Sequence, residues 1–162
     1  MKTILVTGAG GYIGSHATKK LLQDGYKVVG FDNFSRGFWE PLLILKKYGD
    51  LEIVEGDVTS KEDLRKVFSE AKIDVVIHFA ALCSIDESVA KPDLYFRNNV
   101  FGTRNLLEVM QEFSVGKLIF SSTCAVYGNA KYLPIDEDHL TQPENPYGES
   151  KLMAEKAVEE FS

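Results

Sequence analysis

Five short apolar runs rich in valine, isoleucine and leucine recur at residues 4–6, 28–31, 51–54, 75–79 and 118–120. They are nearly continuous rather than alternating, the pattern of strands covered on both faces. Between them the apolar positions take helical spacing. Ile13, Ala17 and Leu21 predict one helix, ended at Asp24-Gly25, where glycine suits a left-handed cap. Leu64, Val67, Phe68 and Ala71 predict another, opened by Thr59 with Glu62 three residues on as a capping box. A third, over residues 100–113, turns Val100, Leu106, Leu107, Met110 and Phe113 toward the sheet. A last begins at Asn145-Pro146, cap then first-turn proline, and runs to the end of the sequence. Strands alternating with helices build a parallel sheet through crossover units, so the expected class is a doubly wound α/β fold. The longest polar connection, residues 128–145, holds Pro134, Pro143 and Asp136-Glu137-Asp138 and reads as a lid, a rim or a solvated loop.

Composition narrows the function classes. At 162 residues the chain suits one domain, and 44% hydrophobic with 26% charged residues excludes collagen-like, disordered and coiled-coil classes. Eighteen basic against 24 acidic residues give a net charge of −6, which argues against a non-specific hold on nucleic acid or anionic lipid. Cys83 and Cys124 lie far apart and match neither a disulfide framework nor a zinc set, so no metal is expected and a reducing compartment is. The N-terminal apolar run is too short for a signal peptide, and no stretch nears the ~20 apolar residues of a membrane span. A cytoplasmic protein is the expectation.

Candidate chemistry begins where the first run ends. Gly8, Gly11 and Gly14 are spaced three apart and lead into the first helix. Gly8 permits a tight turn, Gly11 lets backbone amides approach a pyrophosphate, and Gly14 allows close packing of helix on strand. The strict G-x-G-x-x-G form fails because position 13 is Ile13, and three glycines alone also suit a plain tight turn. Asp32 lies 18 residues after Gly14 at the end of the second run, where a carboxylate accepts hydrogen bonds from ribose hydroxyls and repels a 2′-phosphate. That favours NAD over NADP. Arg36 nearby reads as a solvated loop cation. Asp57 is suited both to an adenine amino group and to an ordinary turn or cap, and the sequence leaves both open.

A second set lies later in the chain. Ser121-Ser122-Thr123 follows the fifth run, and Tyr147 and Lys151 share one helix face at i and i+4. A phenol near pKa 10 is a poor base at neutral pH, and lowering it by ~3 units needs ~4 kcal/mol of preference for the phenolate. One ammonium ~4 Å away at an effective dielectric near 20 supplies energy of that order. Tyr147 is thus a candidate general base, with Lys151 lowering its pKa and holding the nicotinamide ribose, and Thr123 relaying or positioning the proton. The spacing by itself is also common between unrelated surface pairs. His78 reads as a packed residue at a strand end.

Seven motifs occur in order: Thr7-Gly8-x-x-Gly11-x-x-Gly14, Asp32-Asn33, Gly56-Asp57, His78-Phe79-Ala80-Ala81, Asn98-Asn99-Val100-x-Gly102-Thr103, Ser121-Ser122-Thr123-x-x-Val126-Tyr127-Gly128 and Asn145-Pro146-Tyr147-Gly148-x-x-Lys151. Together they resemble the extended short-chain dehydrogenase/reductase family, and within it the UDP-sugar 4-epimerases. The resemblance implies a Rossmann-type NAD-binding domain over residues 1–162 and interconversion of UDP-glucose and UDP-galactose through a 4-keto intermediate. It implies that Gly8, Gly11, Tyr12, Ile13 and Gly14 line the pyrophosphate, Asp32 and Asn33 the adenosine ribose, and Asp57 with Val58 the adenine. Phe79, Ala80 and Ala81 flank the cofactor beside the fourth strand, Asn98 supports its nicotinamide side and Ser121 also contacts it; Ser122, Thr123, Tyr147 and Lys151 fall on catalytic positions, with Tyr147 and Lys151 contacting the cofactor as well. Cys83 stands where such epimerases often carry a cofactor-contacting lysine. Cys124-Ala125 stands where nucleotide-sugar dehydratases carry an acid, which argues against dehydration. Family members run roughly twice this length, so a nucleotide-sugar-binding domain is expected to be absent, and a homodimer through the helices starting near Tyr95 and Tyr147 is implied. A stand-alone NAD-binding module without turnover is the alternative.

Overall fold

A computed structural model describes residues 1–161. Five strands, β1 (Thr3–Thr7), β2 (Lys27–Asp32), β3 (Leu51–Glu55), β4 (Val75–His78) and β5 (Leu118–Phe120), pair in parallel in the order β3-β2-β1-β4-β5. The helices are α1 (Tyr12–Gln23), α2 (Trp39–Leu45), α3 (Lys61–Glu70), α4 (Ile85–Ala90), α5 (Pro92–Tyr95), α6 (Gly102–Glu112) and α7 (Pro146–Phe161). A π-helical stretch, Phe96–Phe101, precedes α6, and a short 3₁₀ turn spans Cys124–Tyr127. The residues group into two compact units: Met1–Ala80 with Asn105–Ser121, and Ala81–Arg104 with the chain from Ser122 onward.

The first unit holds the sheet. Ile4 pairs with Val28 on one side and Val75 on the other, so β1 is central and the strand order reverses across it. Its core gathers Ile4, Val6, Ala9, Leu22, Val28, Leu42, Leu45, Leu51 and Ile77. Strands covered on both faces are found at β1, β2 and β4 and not at the two edges: β3 and β5 are half-covered, and Ile119 is exposed. An apolar run shows that a strand packs somewhere, but not how many neighbours it has.

Two expectations for this unit shift by one residue, each for a local reason. The buried stripe of α1 is Gly14, Thr18 and Leu22 rather than Ile13, Ala17 and Leu21, and Ile13 is 59% exposed. Gly14 seats the helix directly on the preceding turn and thereby sets its rotation. The cap of α3 is Ser60, whose Oγ accepts from the Asp63 amide at 3.2 Å, and not Thr59. Thr59 is held outside the helix because its amide and hydroxyl both donate to Asp57 Oδ1 at 2.7 Å. In addition β4 stops at His78, one residue short of Phe79. Leu106, Leu107, Val109 and Met110 of α6 are buried, while Phe113 is exposed and tilted against Phe68. Arg65 makes two hydrogen bonds to Glu112 at 2.8 Å, tying α3 to α6.

The second unit is helical. Asn145 Oδ1 accepts from the Gly148 amide at 2.8 Å, the expected cap of α7. That helix buries a face of small residues, Gly148, Ser150, Ala154 and Ala157, with Lys151 among them. Residues 128–145 form neither helix nor strand, yet they have a centre. Buried His139 accepts from the Lys131 amide at 3.0 Å and bonds the Leu140 carbonyl at 2.9 Å, with the Tyr127 and Tyr132 rings against it.

Candidate functional site

The turn after β1 is built by backbone contact. Gly8 has φ +72°, where L side chains are strained, and a Cβ on it would stand 2.6 Å from the Ala80 amide nitrogen. A Cβ on Gly14 would stand 2.0 Å from the Gly8 carbonyl oxygen. The turn thus lies against the segment after β4, at the point where the strand order reverses, the position at which open α/β sheets take ligands. Gly11, the cap residue of α1, offers no side chain to the first amides, and the first turn carries no acidic residue. An uncapped, uncompensated helix start opening from a glycine turn suits a pyrophosphate. The residues present therefore fit a dinucleotide.

At the end of β2, Asp32 is buried and both its oxygens are engaged: Oδ2 accepts from the Gly10 amide at 2.9 Å and Oδ1 from the Phe34 amide at 2.8 Å. A carboxylate oxygen has room for a second donor, so ribose hydroxyls remain compatible with this arrangement. Asn33 donates to Asp57 Oδ2 at 2.8 Å and accepts from the Ser35 amide and hydroxyl. Asp57 also holds Thr59, so of its two readings the turn role is realised directly by hydrogen bonds. The Val58 side chain is buried and its carbonyl accepts from Asn105. Phe79 and Ala80 are half-buried, the Phe79 amide donating to the Thr7 carbonyl at 3.0 Å. His78 is packed as expected, bonded to the Thr7 hydroxyl at 2.6 Å. Tyr12 is exposed beside Ile13, and the Ser121 amide donates to the His78 carbonyl at 3.2 Å. Gly10, which the glycine spacing passed over, proves to be a hub of this region, and the Gly10-Gly11 doublet is the sequence signal that marks it.

In the second unit α7 carries Tyr147 and Lys151. Lys151 is 4% exposed, and burial pushes its ammonium down to about 8, opposed by the nearby Glu155 carboxylate and Cys83. The half-buried Tyr147 ring meets Tyr95 edge-on at 6.4 Å. Asn99, in the π-helical stretch, fixes this helix. Its amide nitrogen donates to the Leu82 carbonyl and Ser150 Oγ at 3.0 Å each, and its oxygen accepts from the Leu82 amide at 2.9 Å and from Asn98 at 3.0 Å. Ser150 passes the connection on, its hydroxyl donating to the Tyr147 carbonyl at 2.7 Å. Asn99 was visible only as part of a motif, because two adjacent asparagines do not reveal which one turns inward. Thr123 caps the 3₁₀ turn, its Oγ1 accepting from the Ala125 amide at 3.2 Å, which leaves its own proton to donate. Ser122 is exposed, Ala81 and Asn98 are half-buried, and Cys83 and Cys124 are exposed free thiols.

The strand-order reversal and glycine turn define a Rossmann-type fold, and with the ordered motifs, the Tyr147–Lys151 helix among them, they place the chain in the extended short-chain dehydrogenase/reductase class. Residues 5–162 match the profile of the GDP-mannose 4,6 dehydratase family, and the chain belongs to that family. It is 42% identical to a UDP-glucose 4-epimerase of Pisum sativum, over 98% of this chain and 47% of that protein. Against a UDP-glucose 4-epimerase of Bacillus subtilis it is 44% identical, with the same shares covered. The crystal structure of a UDP-glucose 4-epimerase from Bifidobacterium longum in complex with NAD+ and UDP superposes with a TM-score of 0.95 at 41% identity, over 98% of this chain and 48% of that one. The chain thus spans about half the length of the curated relatives it matches. Among the described residues no helix is long and apolar enough to cross a membrane.

Proposed function

We propose that this chain is the NAD-binding, proton-transferring part of a UDP-sugar 4-epimerase, interconverting UDP-glucose and UDP-galactose through a 4-keto sugar. The observation that carries the reading is α7, which sets Tyr147 one turn before a lysine buried to 4% exposure. Tyr147 takes the proton of the sugar 4-hydroxyl and returns it. Lys151 stays charged at neutral pH and supports the phenolate. Thr123 and Ser122 offer hydroxyl protons to the same oxygen. NAD, when bound, supplies the hydride acceptor and its return. Gly8, Gly11, Tyr12, Ile13 and Gly14 hold its pyrophosphate, Asp32 and Asn33 its adenosine ribose, and Asp57 with Val58 its adenine. Phe79, Ala80 and Ala81 flank the cofactor beside β4, Asn98 supports its nicotinamide side, Ser121 and Tyr147 contact it, and Lys151 also holds the nicotinamide ribose. Cys124 stands where dehydration would need an acid, which supports epimerisation within a family named for a dehydratase.

Exposed Ile85, Val89, Leu94 and Phe101, on and beside the helices near Tyr95, support self-association as a homodimer. The two exposed free thiols suit a reducing cytoplasm. A second reading, NAD binding without turnover, draws on the first unit, which carries the proposed adenosine end on its own residues. The test is conversion of UDP-galactose to UDP-glucose by the purified chain with NAD. We expect Tyr147→Phe to abolish conversion and leave NAD affinity within about twofold. Undiminished conversion by that variant removes Tyr147 as the base, and wild-type binding without conversion establishes the second reading.

A further inference from the structure

The segment after Asn33 crosses back over Gly10, and none of the roles above uses it. The Gly10 amide donates to Asp32 Oδ2 at 2.9 Å, and the Gly10 carbonyl accepts from the Phe38 amide at 3.0 Å. On the other side of the carboxylate, Phe34 donates its amide to Asp32 Oδ1 at 2.8 Å, and it does so at φ +53°, a left-handed backbone that is strained for a bulky aromatic residue. Its ring lies on Gly10, where a Cβ would stand 3.0 Å from Cε1 and 3.1 Å from Cδ1. The ring is also stacked on Trp39, centroids 4.1 Å apart and planes 20° apart. Gly37 fits equally closely, since a Cβ on it would stand 2.8 Å from the Gly10 carbonyl carbon. A strained residue persists only where its surroundings determine it, and here the stack on Trp39 supplies that determination.

We propose that Phe34 and Trp39 form an aromatic clasp that holds Gly10 and Asp32 in the geometry that receives the adenosine ribose and pyrophosphate of the dinucleotide, which makes both aromatics positioning residues for cofactor affinity. The proposal rests on the NAD reading given above. With the stack in place, one donor is fixed on each Asp32 oxygen and the remaining lone pairs point in set directions, so little ordering is left for binding to impose. Without it, Phe34 relaxes to negative φ, withdraws its amide from Asp32 and uncovers Gly10.

The test is calorimetric titration of the whole chain with NAD and with ADP-ribose, together with amide hydrogen exchange at Gly10 and Phe38 without ligand. We expect Trp39→Ala to weaken both ligands about tenfold and to speed both exchange rates about tenfold. Trp39→Phe restores both properties to within about twofold, because a second aromatic ring rebuilds the stack. Phe34→Gly, which accepts the left-handed backbone freely but has no ring, weakens binding as Trp39→Ala does. Thermal melting of each variant identifies any that fails to fold; if Trp39→Ala does, Phe34→Gly carries the test, and unchanged affinity in that folded variant overturns the clasp. Unchanged affinity or unchanged Gly10 exchange in folded Trp39→Ala overturns the clasp. A wild-type chain that binds neither ligand overturns the NAD reading instead, a failure recognised from the wild-type titration alone.

Discussion

Helices α1 and α3 both start within the first unit, each after a strand of the same sheet, yet their first turns are finished in opposite ways. At α3, Ser60 caps the Asp63 amide, and Glu62 and Asp63 place negative charge against the positive end of the helix. At α1 there is only Gly11, with no capping side chain and no acid in the first turn. One end is satisfied by its own chain and contributes to stability. The other is left open, in the arrangement proposed above for a pyrophosphate, and with glycine as its cap the chain forgoes only a few tenths of a kcal/mol there. Lys151 belongs with the second kind: a cation kept buried at a cost among the small residues of α7.

The largest expected effect comes from blocking the open end at its base. Gly14→Ala sets a methyl 2.0 Å from the Gly8 carbonyl oxygen, so turn and helix must part. We expect a loss of about 3 kcal/mol in urea unfolding, together with loss of NAD binding. The cost of Lys151 has a pH signature of similar size. Its native value of about 8 lies below its ordinary 10.5. Between those values the unfolded chain holds a proton that the native chain has released, so stability rises with pH across that window, by about 3 kcal/mol in total, and is flat below it for this group. Unfolding measured from pH 7 to 10.5 should show this rise in wild type and lack it in Lys151→Met; equal curves remove the assigned burial cost. Turnover should fall as pH passes 8 and the ammonium is lost.

Closing α1 in the manner of α3 sharpens the contrast. Gly11→Asp gives the helix its own cap and a negative charge, so NAD affinity should drop about thirtyfold, near 2 kcal/mol; the new Cβ stands 3.3 Å from the Gly8 carbonyl oxygen, a close contact that offsets the gain from the cap, so folding stability should change by less than about 1 kcal/mol. The smallest effect is the converse. Ser60→Ala should cost about 1 kcal/mol of stability and leave NAD affinity unaltered, and any loss of affinity would erase the distinction between the two helix starts.

Much of this was legible in the sequence where one residue type has one use. The cores of the central strands β1, β2 and β4, the Asp24-Gly25 stop, the Asn145 cap and the glycine spacing fall where the pattern places them, because each rests on local sequence chemistry. What escaped depends on partners distant in the chain or on choices between adjacent residues. Thr59 and Ser60 are chemically equivalent caps until Asp57 captures Thr59. Ile13 is a better core residue than Gly14 until the Gly8 carbonyl takes the space beside it. Asp32 was legible as an acceptor, but not that Gly10 and Phe34 each claim one of its oxygens first. Asn99 was indistinguishable from Asn98 until Leu82 and Ser150 surrounded it.

The stack of Phe34 on Trp39 also gives the molecule a built-in optical reporter. Trp39 is the only tryptophan in the sequence, so indole emission comes from that one place, pressed against the loop that covers Gly10. Any event that loosens or tightens the loop registers in the colour and intensity of that light, with no dye attached and no residue changed.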